Sequence, residues 1–436
     1  MRTVKLGLLL AGLVLLLPAG ALGATPGVNV GGIPGPGLLD EAASSGARQI
    51  RVFVLRNQIP GHIPEFKAAL AGAKARGMGV VFVLMGDSAG SATNPGEFAA
   101  FASDFSTAMA EAGGAVAYEV WNEPDEAAWW RGPPNAGEYV ALLKATAPKI
   151  REGDPGAKVI LGPTTGNNHK WLQSIYARGA KGSFDGVAVH TDTACLIAPP
   201  SAFQRENGKV GRFSFLGFIS VRGVMLANGD GEKKIWMTEL GWSSATSPCT
   251  RGMFAGQKPA GVGEATQAAN LAAAYSCLAG YPYVENALWF SMNDTSGDGD
   301  ELGSYGLRRI DGSPKPSWDA FRSVAQGNLP TAPCGDLTAP SITLHSPSRE
   351  ARYDGALVLK ATAKDATAVA RITFKIDGKT IRNYTGADVA SGRPVRLEWQ
   401  GAKRIAPGRH RLTVVALDPN RNTSTKSVRI RRVPGR

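Results

Sequence analysis

Between Gly27 and Gln326 the chain repeats one texture: a short run rich in β-branched residues, then an Ala-rich amphipathic stretch, then another run. The candidate strands are Val28-Asn29-Val30, Gln49–Leu55, Gly79–Met85, Ala117–Asn122, Val159–Gly162, Gly186–His190, Ile235–Glu239 and Ala287–Ser291, eight in all. Helical stretches such as Pro64–Arg76, Glu97–Ala112, Gly137–Glu152 and Glu264–Leu278 lie between them. Strands separated by helices pair in parallel, because the helix supplies the long crossover that a parallel neighbour needs. Eight such units over roughly 300 residues predict a closed (β/α)8 TIM barrel. An open doubly wound sheet is disfavoured. Gly31-Gly32-Ile33-Pro34-Gly35 lacks the spacing of a phosphate-binding loop, and its prolines would block the helix start.

The texture changes after a Pro-, Thr- and Gly-rich break at Gly327–Pro340. Short alternating runs follow at Ile342-Thr343-Leu344, Ala356–Ala361, Ala370–Ile376, Val395–Trp399, Arg411–Leu417 and Val428–Ile430. Turns such as Asp377-Gly378 and Pro407-Gly408 separate them, which predicts a small all-β sandwich. The expected organisation is therefore an α/β barrel over residues 25–326, a linker over 327–340 and a sandwich over 341–436.

The chain opens with Arg2 and Lys5, an apolar run from Leu6 to Leu17, Pro18, and the small-residue stretch Ala21-Leu22-Gly23-Ala24. That is the pattern of a secretory signal peptide over residues 1–24, and the run is shorter than a membrane span needs. No Cys follows the apolar run, so a lipid anchor is unsupported. The expected location is outside the cytoplasm, secreted or held at the cell wall. The four cysteines, Cys195, Cys249, Cys277 and Cys334, then suggest two disulfides. Of the three pairings possible, Cys195–Cys249 with Cys277–Cys334 is favoured. Their spacing lacks the paired ligand pattern of a zinc site.

Charge is uneven. Residues Ser341–Arg436 hold 20 of the chain's 48 Lys and Arg but only 7 of its 36 Asp and Glu. A basic C-terminal unit suits an acidic cell-wall polymer or anionic polysaccharide; nucleic acid is a formal alternative, and a merely solvated β surface another.

In a barrel of this kind functional side chains stand at the C-terminal ends of the strands. The fourth candidate strand ends in Tyr118-Glu119-Val120-Trp121-Asn122-Glu123-Pro124, and the seventh in Trp236-Met237-Thr238-Glu239-Leu240-Gly241-Trp242. Each brings a carboxylate to the same rim. Two carboxyls about 5–5.5 Å apart are what retaining glycoside hydrolysis requires: one protonated to release the leaving oxygen, one ionised to attack the anomeric carbon. Alone, Asn122-Glu123-Pro124 also reads as a helix-starting turn; the second glutamate on strand seven favours chemistry.

These two motifs resemble the clan of retaining glycosidases built on (β/α)8 barrels. The resemblance implies Glu123 as acid/base, Glu239 as nucleophile, and Asn122 as a partner of the sugar 2-hydroxyl. Within the clan, Gly182–His190, Tyr305-Gly306-Leu307 and Pro314-Lys315-Pro316 are similar to glycoside hydrolase family 39 and its relatives, which include β-xylosidases and bacterial exopolysaccharide hydrolases. The C-terminal segments Ile372–Gly378 and Val414–Asp418 resemble bacterial immunoglobulin-like modules. A polysaccharide or oligosaccharide is the expected substrate, with no cofactor, no metal and a monomeric chain. The competing reading is a non-catalytic glycan-binding protein that keeps the barrel as a platform.

Supporting positions follow. Strand alternation turns Arg51 inward with Phe53 and Leu55, and a buried Arg needs an anion. The clan places a strand-two Arg beside the nucleophile, so Arg51 is expected to orient Glu239; a surface Arg is the alternative. His190 ends strand six, where relatives continue with Pro-Tyr and this chain with Thr191-Asp192. A place beside the carboxylates and a structural histidine both fit it. Trp121, Trp129, Trp130, Trp242 and Trp289 are candidate stacking surfaces for sugar rings, with Trp242 and Trp289 favoured, although Trp is commonly core. The loop Asn293–Glu301, carrying Asp294, Asp298, Asp300 and Glu301, resembles a calcium loop, but Tyr305 occupies the twelfth position where a carboxylate is required. It reads as a solvated loop or a sugar-hydroxyl binder.

Overall fold

The computed structural model describes residues 23–88, 94–130, 132–191, 198–248, 261–295, 303–332, 334–365, 368–389, 392–400, 405–419 and 422–434. The leader through Leu22, Asp192, Cys195, Cys249, Asp298, Asp300 and Glu301 lie outside them, and so do the expectations placed there. Among the described residues, no helix is long and apolar enough to cross a membrane.

The first unit, which continues to Ala332, is a closed barrel of eight parallel strands. They are β1 (Thr25–Gly31), β2 (Gln49–Leu55), β3 (Gly79–Met85), β4 (Ala117–Val120), β5 (Lys158–Thr164), β6 (Gly186–His190), β7 (Lys234–Leu240) and β8 (Val284–Trp289). One helix follows each in turn: α1 (Pro36–Ser44), α2 (Ile63–Ala75), α3 (Pro95–Glu111), α4 (Ala136–Gly153), α5 (His169–Ala177), α6 (Phe218–Ala227), α7 (Glu264–Leu278) and α8 (Pro316–Ala325).

Local chemistry explains where several helices start. The Asn94 side chain accepts from the backbone N–H groups of Gly96 and Glu97, and Asn135 does the same for Gly137 and Glu138. Each satisfies donors that a helix leaves open at its first turn. Prolines near Gly31–Gly35 do not block a helix as expected from the sequence: Pro36 begins α1. The first turn needs no intrahelical N–H donor, and the fixed φ of proline suits it.

Val81, Ala117, Ile160, Ala188, Trp236 and Leu288 form one buried cluster, with a residue from each of β3 to β8. By strand alternation, Glu119 and His190 share the faces of Ala117 and Ala188, two residues nearer the C-terminal ends of their strands. The floor of the site is therefore apolar and dry, and polar groups begin one layer above it.

The second unit begins at Pro333, inside the stretch read as a linker, and also takes in Ser201–Gly211. Its strands are β9 (Ser341–Ser346), β10 (Ala351–Tyr353), β11 (Leu357–Lys364), β12 (Arg371–Ile376), β13 (Lys379–Thr385), β14 (Pro394–Trp399), β15 (Gly408–Leu417) and β16 (Thr423–Arg432). One sheet runs β9-β11-β14 and the other β10-β16-β15-β12-β13. Leu359, Phe374, Leu412, Val414 and Ile430 are among the buried residues between them. The sequence reading passed over β10 and β13; β10 is three residues long and β13 is mostly exposed, so neither shows a clear apolar alternation.

Candidate active site

Strand β4 stops at Val120, two residues before the expected Asn122. Trp121 and Glu123 have positive φ, 75° and 44°, so the chain leaves the extended form there. Bulky residues in the left-handed region cost energy, and such strain gathers at functional sites. The break is pinned from outside: Tyr139 on α4 donates from its hydroxyl to the Val120 carbonyl at 3.0 Å and accepts from Gly162 N–H at 2.7 Å. The turn brings Glu123 against His190, whose Nδ1 lies 2.8 Å from Glu123 Oε1 and 3.4 Å from Glu239 Oε2. One donor atom from each of Glu123, His190 and Glu239 falls within 4.8 Å of the others.

Arg51 is the hub of the site and is fully buried. Its Nε donates to Glu119 Oε2 at 2.7 Å, and Nη1 to Glu239 Oε1 at 2.5 Å and Asn29 Oδ1 at 3.0 Å. Nη2 donates to Asn122 Oδ1 at 2.8 Å. Strand register accounts for two of these neighbours: Asn29 stands opposite Arg51, and His190 opposite Glu239. Burial opposes the guanidinium charge, but Glu119 and Glu239 outweigh it and its pKa lies above the ordinary Arg value. Because Asn122 Oδ1 accepts from Arg51, the amide nitrogen is the end left free to offer N–H groups to a ligand.

The titrating groups are pushed apart. Burial raises the Glu123 carboxyl from an ordinary 4.5 to about 7, against the opposing pull of Arg51. Burial lowers the His190 imidazole from 6.5 to about 4, with Glu239 acting in the other direction. Near neutrality His190 is thus uncharged, and Glu123 retains a proton over much of the range in which ordinary carboxylates have lost theirs. Asp125, next along the turn, is also raised by burial, to about 6, and accepts from Thr165 N–H and Asn168 Nδ2.

Two carboxyls and an imidazole are also a formal donor set for a divalent cation. The guanidinium fixed against Glu239 already supplies a positive charge at that carboxylate, and a second cation beside it would be repelled. In the second unit, Asp336, Asp365 and Asp418 form another compact acidic group.

The expected site residues Glu123, Asn122, Arg51, His190 and Glu239 come together in one cluster. Trp242 and Trp289 do not present the stacking surfaces expected of them. Both are fully buried, 6.3 Å apart, and donate from their indole nitrogens to the carbonyls of Ala198 and Tyr305. Indoles with no exposed face act here as wall. Trp121 is buried as well. Trp129 is half-exposed and stacks on half-exposed Phe53, 6.3 Å away with an interplanar angle of 17°, while the Arg51 guanidinium lies 4.9 Å from the Phe53 ring centroid. Phe53 and Trp129 thus form a half-exposed aromatic surface beside the guanidinium that holds Glu239.

Sequence reasoning missed three participants: Glu119, Asn29 and Phe53. Glu119 was overshadowed by Glu123 in the same motif, although alternation puts it on the barrel interior. Asn29 had a signal too, as a polar residue central to the first strand; its Nδ2 donates to the carbonyls of Thr238 and Trp289. In the Asn293–Glu301 loop, Asp294 is held by buried Lys315 at 2.7 Å and accepts from Gly306 N–H, which makes it a loop fastener. Cys277 and Cys334 are each disulfide-bonded.

Residues 340–414 match the family model of a bacterial Ig domain. No curated protein sequence matches the chain. In fold, the chain is similar to a family 39 glycoside hydrolase from the gut symbiont Bacteroides cellulosilyticus WH2. Identity is 18%, coverage 86% of this chain and 79% of that one, and TM-score 0.55. A monomeric beta-xylosidase from Caulobacter crescentus CB15 is also similar, at 16% identity, 90% and 82% coverage and TM-score 0.47. At such identities the likeness is one of fold, an eight-stranded parallel barrel.

Proposed function

We propose that the protein is a retaining glycoside hydrolase that acts outside the cytoplasm on a polysaccharide or oligosaccharide, cleaving a β-linkage by double displacement. The observation that carries this reading is the pair Glu123 and Glu239, at the same rim of one barrel, with one carboxyl oxygen of each within 4.8 Å of the other. That separation suits direct attack on the anomeric carbon; inversion needs about 6.5–9.5 Å to admit a water between carboxyl and sugar.

Glu123 begins as the acid. Its raised pKa keeps a proton available for the glycosidic oxygen as the C–O bond breaks. Glu239, oriented by Arg51, attacks the anomeric carbon from the opposite face and forms a glycosyl ester. Glu123, now a carboxylate, takes a proton from water, which attacks the same carbon and releases Glu239. Loss of the Glu123 proton puts negative charge beside His190; a neutral imidazole with its proton on Nδ1 can donate to that charge across 2.8 Å. Asn122 offers its amide N–H groups to a sugar hydroxyl, and Phe53 with Trp129 offers aromatic faces to the apolar side of the rings. The leader pattern and the disulfide-bonded cysteines support an extracytoplasmic site of action.

The test is incubation of the protein and its Glu239→Gln variant with xylan, glucan, mannan, galactan and bacterial exopolysaccharides, reading released reducing ends. Cleavage of one polymer by the wild type alone, with the anomeric configuration kept, is the expected result. Saturable binding across the panel without cleavage would transfer the reading to a glycan-binding platform.

A further inference from the structure

The five-stranded sheet of the second unit has one face turned to the core and one turned outward, and the outward face is unusual. Along β15, Leu412, Val414 and Ala416 are buried, so Arg409 and Arg411 point away from the core. Along β16, Ile430 is buried, and Arg429 and Arg431 point outward beside them. Strand register sets Arg409 directly opposite Arg431 and Arg411 directly opposite Arg429. The short strand β10 adds Arg352 opposite Arg431, again with an exposed side chain. On the far side, Lys375 of β12 faces outward one step further along. Arginines thus oppose arginines on three neighbouring strands.

Like charges placed directly across a sheet destabilise it, and β surfaces normally relieve this with an interleaved acid. Here the relief is confined to one end of the grid, where Asp377 feels the Arg411 charge. None of these six cations forms an ion pair with a described residue. Asp377 pairs with His410, accepts the Arg411 backbone N–H and offsets part of the Arg411 charge without an ion pair to it, while Glu350 is within ion-pair distance of none of the six. Stability alone does not explain such a surface; an external polyanion does, because it would neutralise the arginines that repel one another.

We infer that this face, centred on Arg409, Arg411, Arg429 and Arg431, is a docking surface for an acidic polysaccharide. The choice of polyanion rests on the proposed glycosidase reading of the barrel and on the surface itself. Among its described residues the face carries no aromatic side chain, so it lacks the stacking platforms that single-stranded nucleic acid uses. Among the described residues it also lacks exposed large apolar groups that would enter a lipid surface. What remains is a grid of guanidinium forks. Successive outward residues on one strand are about 6.8 Å apart and adjacent strands about 4.8 Å apart, a spacing fit for repeated carboxylates on an extended chain.

The test uses the full chain carrying Glu239→Gln, so that no polymer is consumed, and polygalacturonate as probe, with neutral galactan, mixed-sequence duplex DNA and phosphatidylglycerol-containing vesicles in parallel. The expected result is binding to polygalacturonate that weakens steeply with salt and exceeds binding to the other three. R409S/R411S/R429S/R431S should weaken it at least about tenfold at low salt, and the matching fourfold Arg→Lys variant should retain most of it. Unfolding curves confirm that both variants fold. Equal binding by the Ser variant, or tighter binding to DNA or vesicles, would overturn the inference, as would no binding to polygalacturonate. In the Glu239 background of the wild type, the same Ser substitutions should leave cleavage of a short oligosaccharide unchanged. Loss of docking and failure of the hydrolase reading are therefore separately visible.

Discussion

Replacing Glu123 by Gln should stabilise the barrel at alkaline pH and leave it unchanged in acid. The carboxyl is raised from 4.5 to about 7 by burial, with 14% of the side chain exposed. Moving the carboxyl from 4.5 to about 7 corresponds to about 3 kcal/mol. The sign follows from proton binding. Below pH 4.5 the group is protonated whether the chain is folded or unfolded, and Gln, neutral and nearly isosteric, is equivalent. Between pH 4.5 and 7 the unfolded chain loses the proton first, so wild-type stability falls by up to about 1.4 kcal/mol per pH unit. Above pH 7 the full cost of a buried anion is present in the wild type and absent from the variant. His190 titrates in both proteins, so taking their difference largely removes it.

The measurement is thermal unfolding from pH 4 to 8 by tryptophan fluorescence, to which the barrel contributes all tryptophans except Trp399. The variant should gain on the order of 5 °C over the wild type at pH 8, shrinking to nothing near pH 4. A difference that does not change with pH would refute the assignment of Glu123 as the buried, proton-holding carboxyl.

Three further outcomes are expected. On a cleaved glycan, kcat/KM should fall through an alkaline limb with an apparent pKa near 7 that belongs to Glu123; a limb above pH 9 would assign the acid elsewhere. Arg51→Met should lower stability by about 3–5 kcal/mol, because Glu119 and Glu239 lose their shared cation. Arg51→Lys should not rescue it, since an ammonium cannot span four partners in one plane; a melting temperature unchanged in either variant would dismiss the hub. Trp129→Ala should raise KM roughly 3- to 10-fold with the fold intact, whereas Trp242→Ala, deep in the wall, should cost about 3–5 kcal/mol of stability. The reverse pattern would return Trp242 to the substrate.

Much of this site could be read from the order of residues, for a physical reason. A barrel strand alternates inward and outward with period two and ends at one rim, so Arg51, Glu119 and His190 had their directions set by their own strands. Glu239 did not: alternation from Trp236 would turn it outward, and a register shift past Met237 brings it to the site. The limits of β2, β3 and β6 coincide with the sequence expectation because β-branched runs there are bounded by turn residues. The end of β4 does not, since Asn122 continues a run that looks extended and only the packing of Tyr139 on the Val120 carbonyl, with Trp121 and Glu123 turned to positive φ, stops it. The aromatic wall was misread for a related reason. Composition shows that a Trp is present at a strand end, while its exposure depends on loops folding over it from distant positions.

What the sequence by itself determined was the eightfold alternation, the two carboxylates near the ends of strands four and seven, and the basic bias of the last hundred or so residues, because each depends on local pattern or on counting. What only the tertiary structure decided was which groups share a charge. Glu119 and Glu239 lie 120 positions apart and meet on a guanidinium from a third strand, and Arg411 meets Arg429 only through strand register. Coulomb energy depends on distance and surrounding polarity, and closure of the barrel and pairing of the sheets set both.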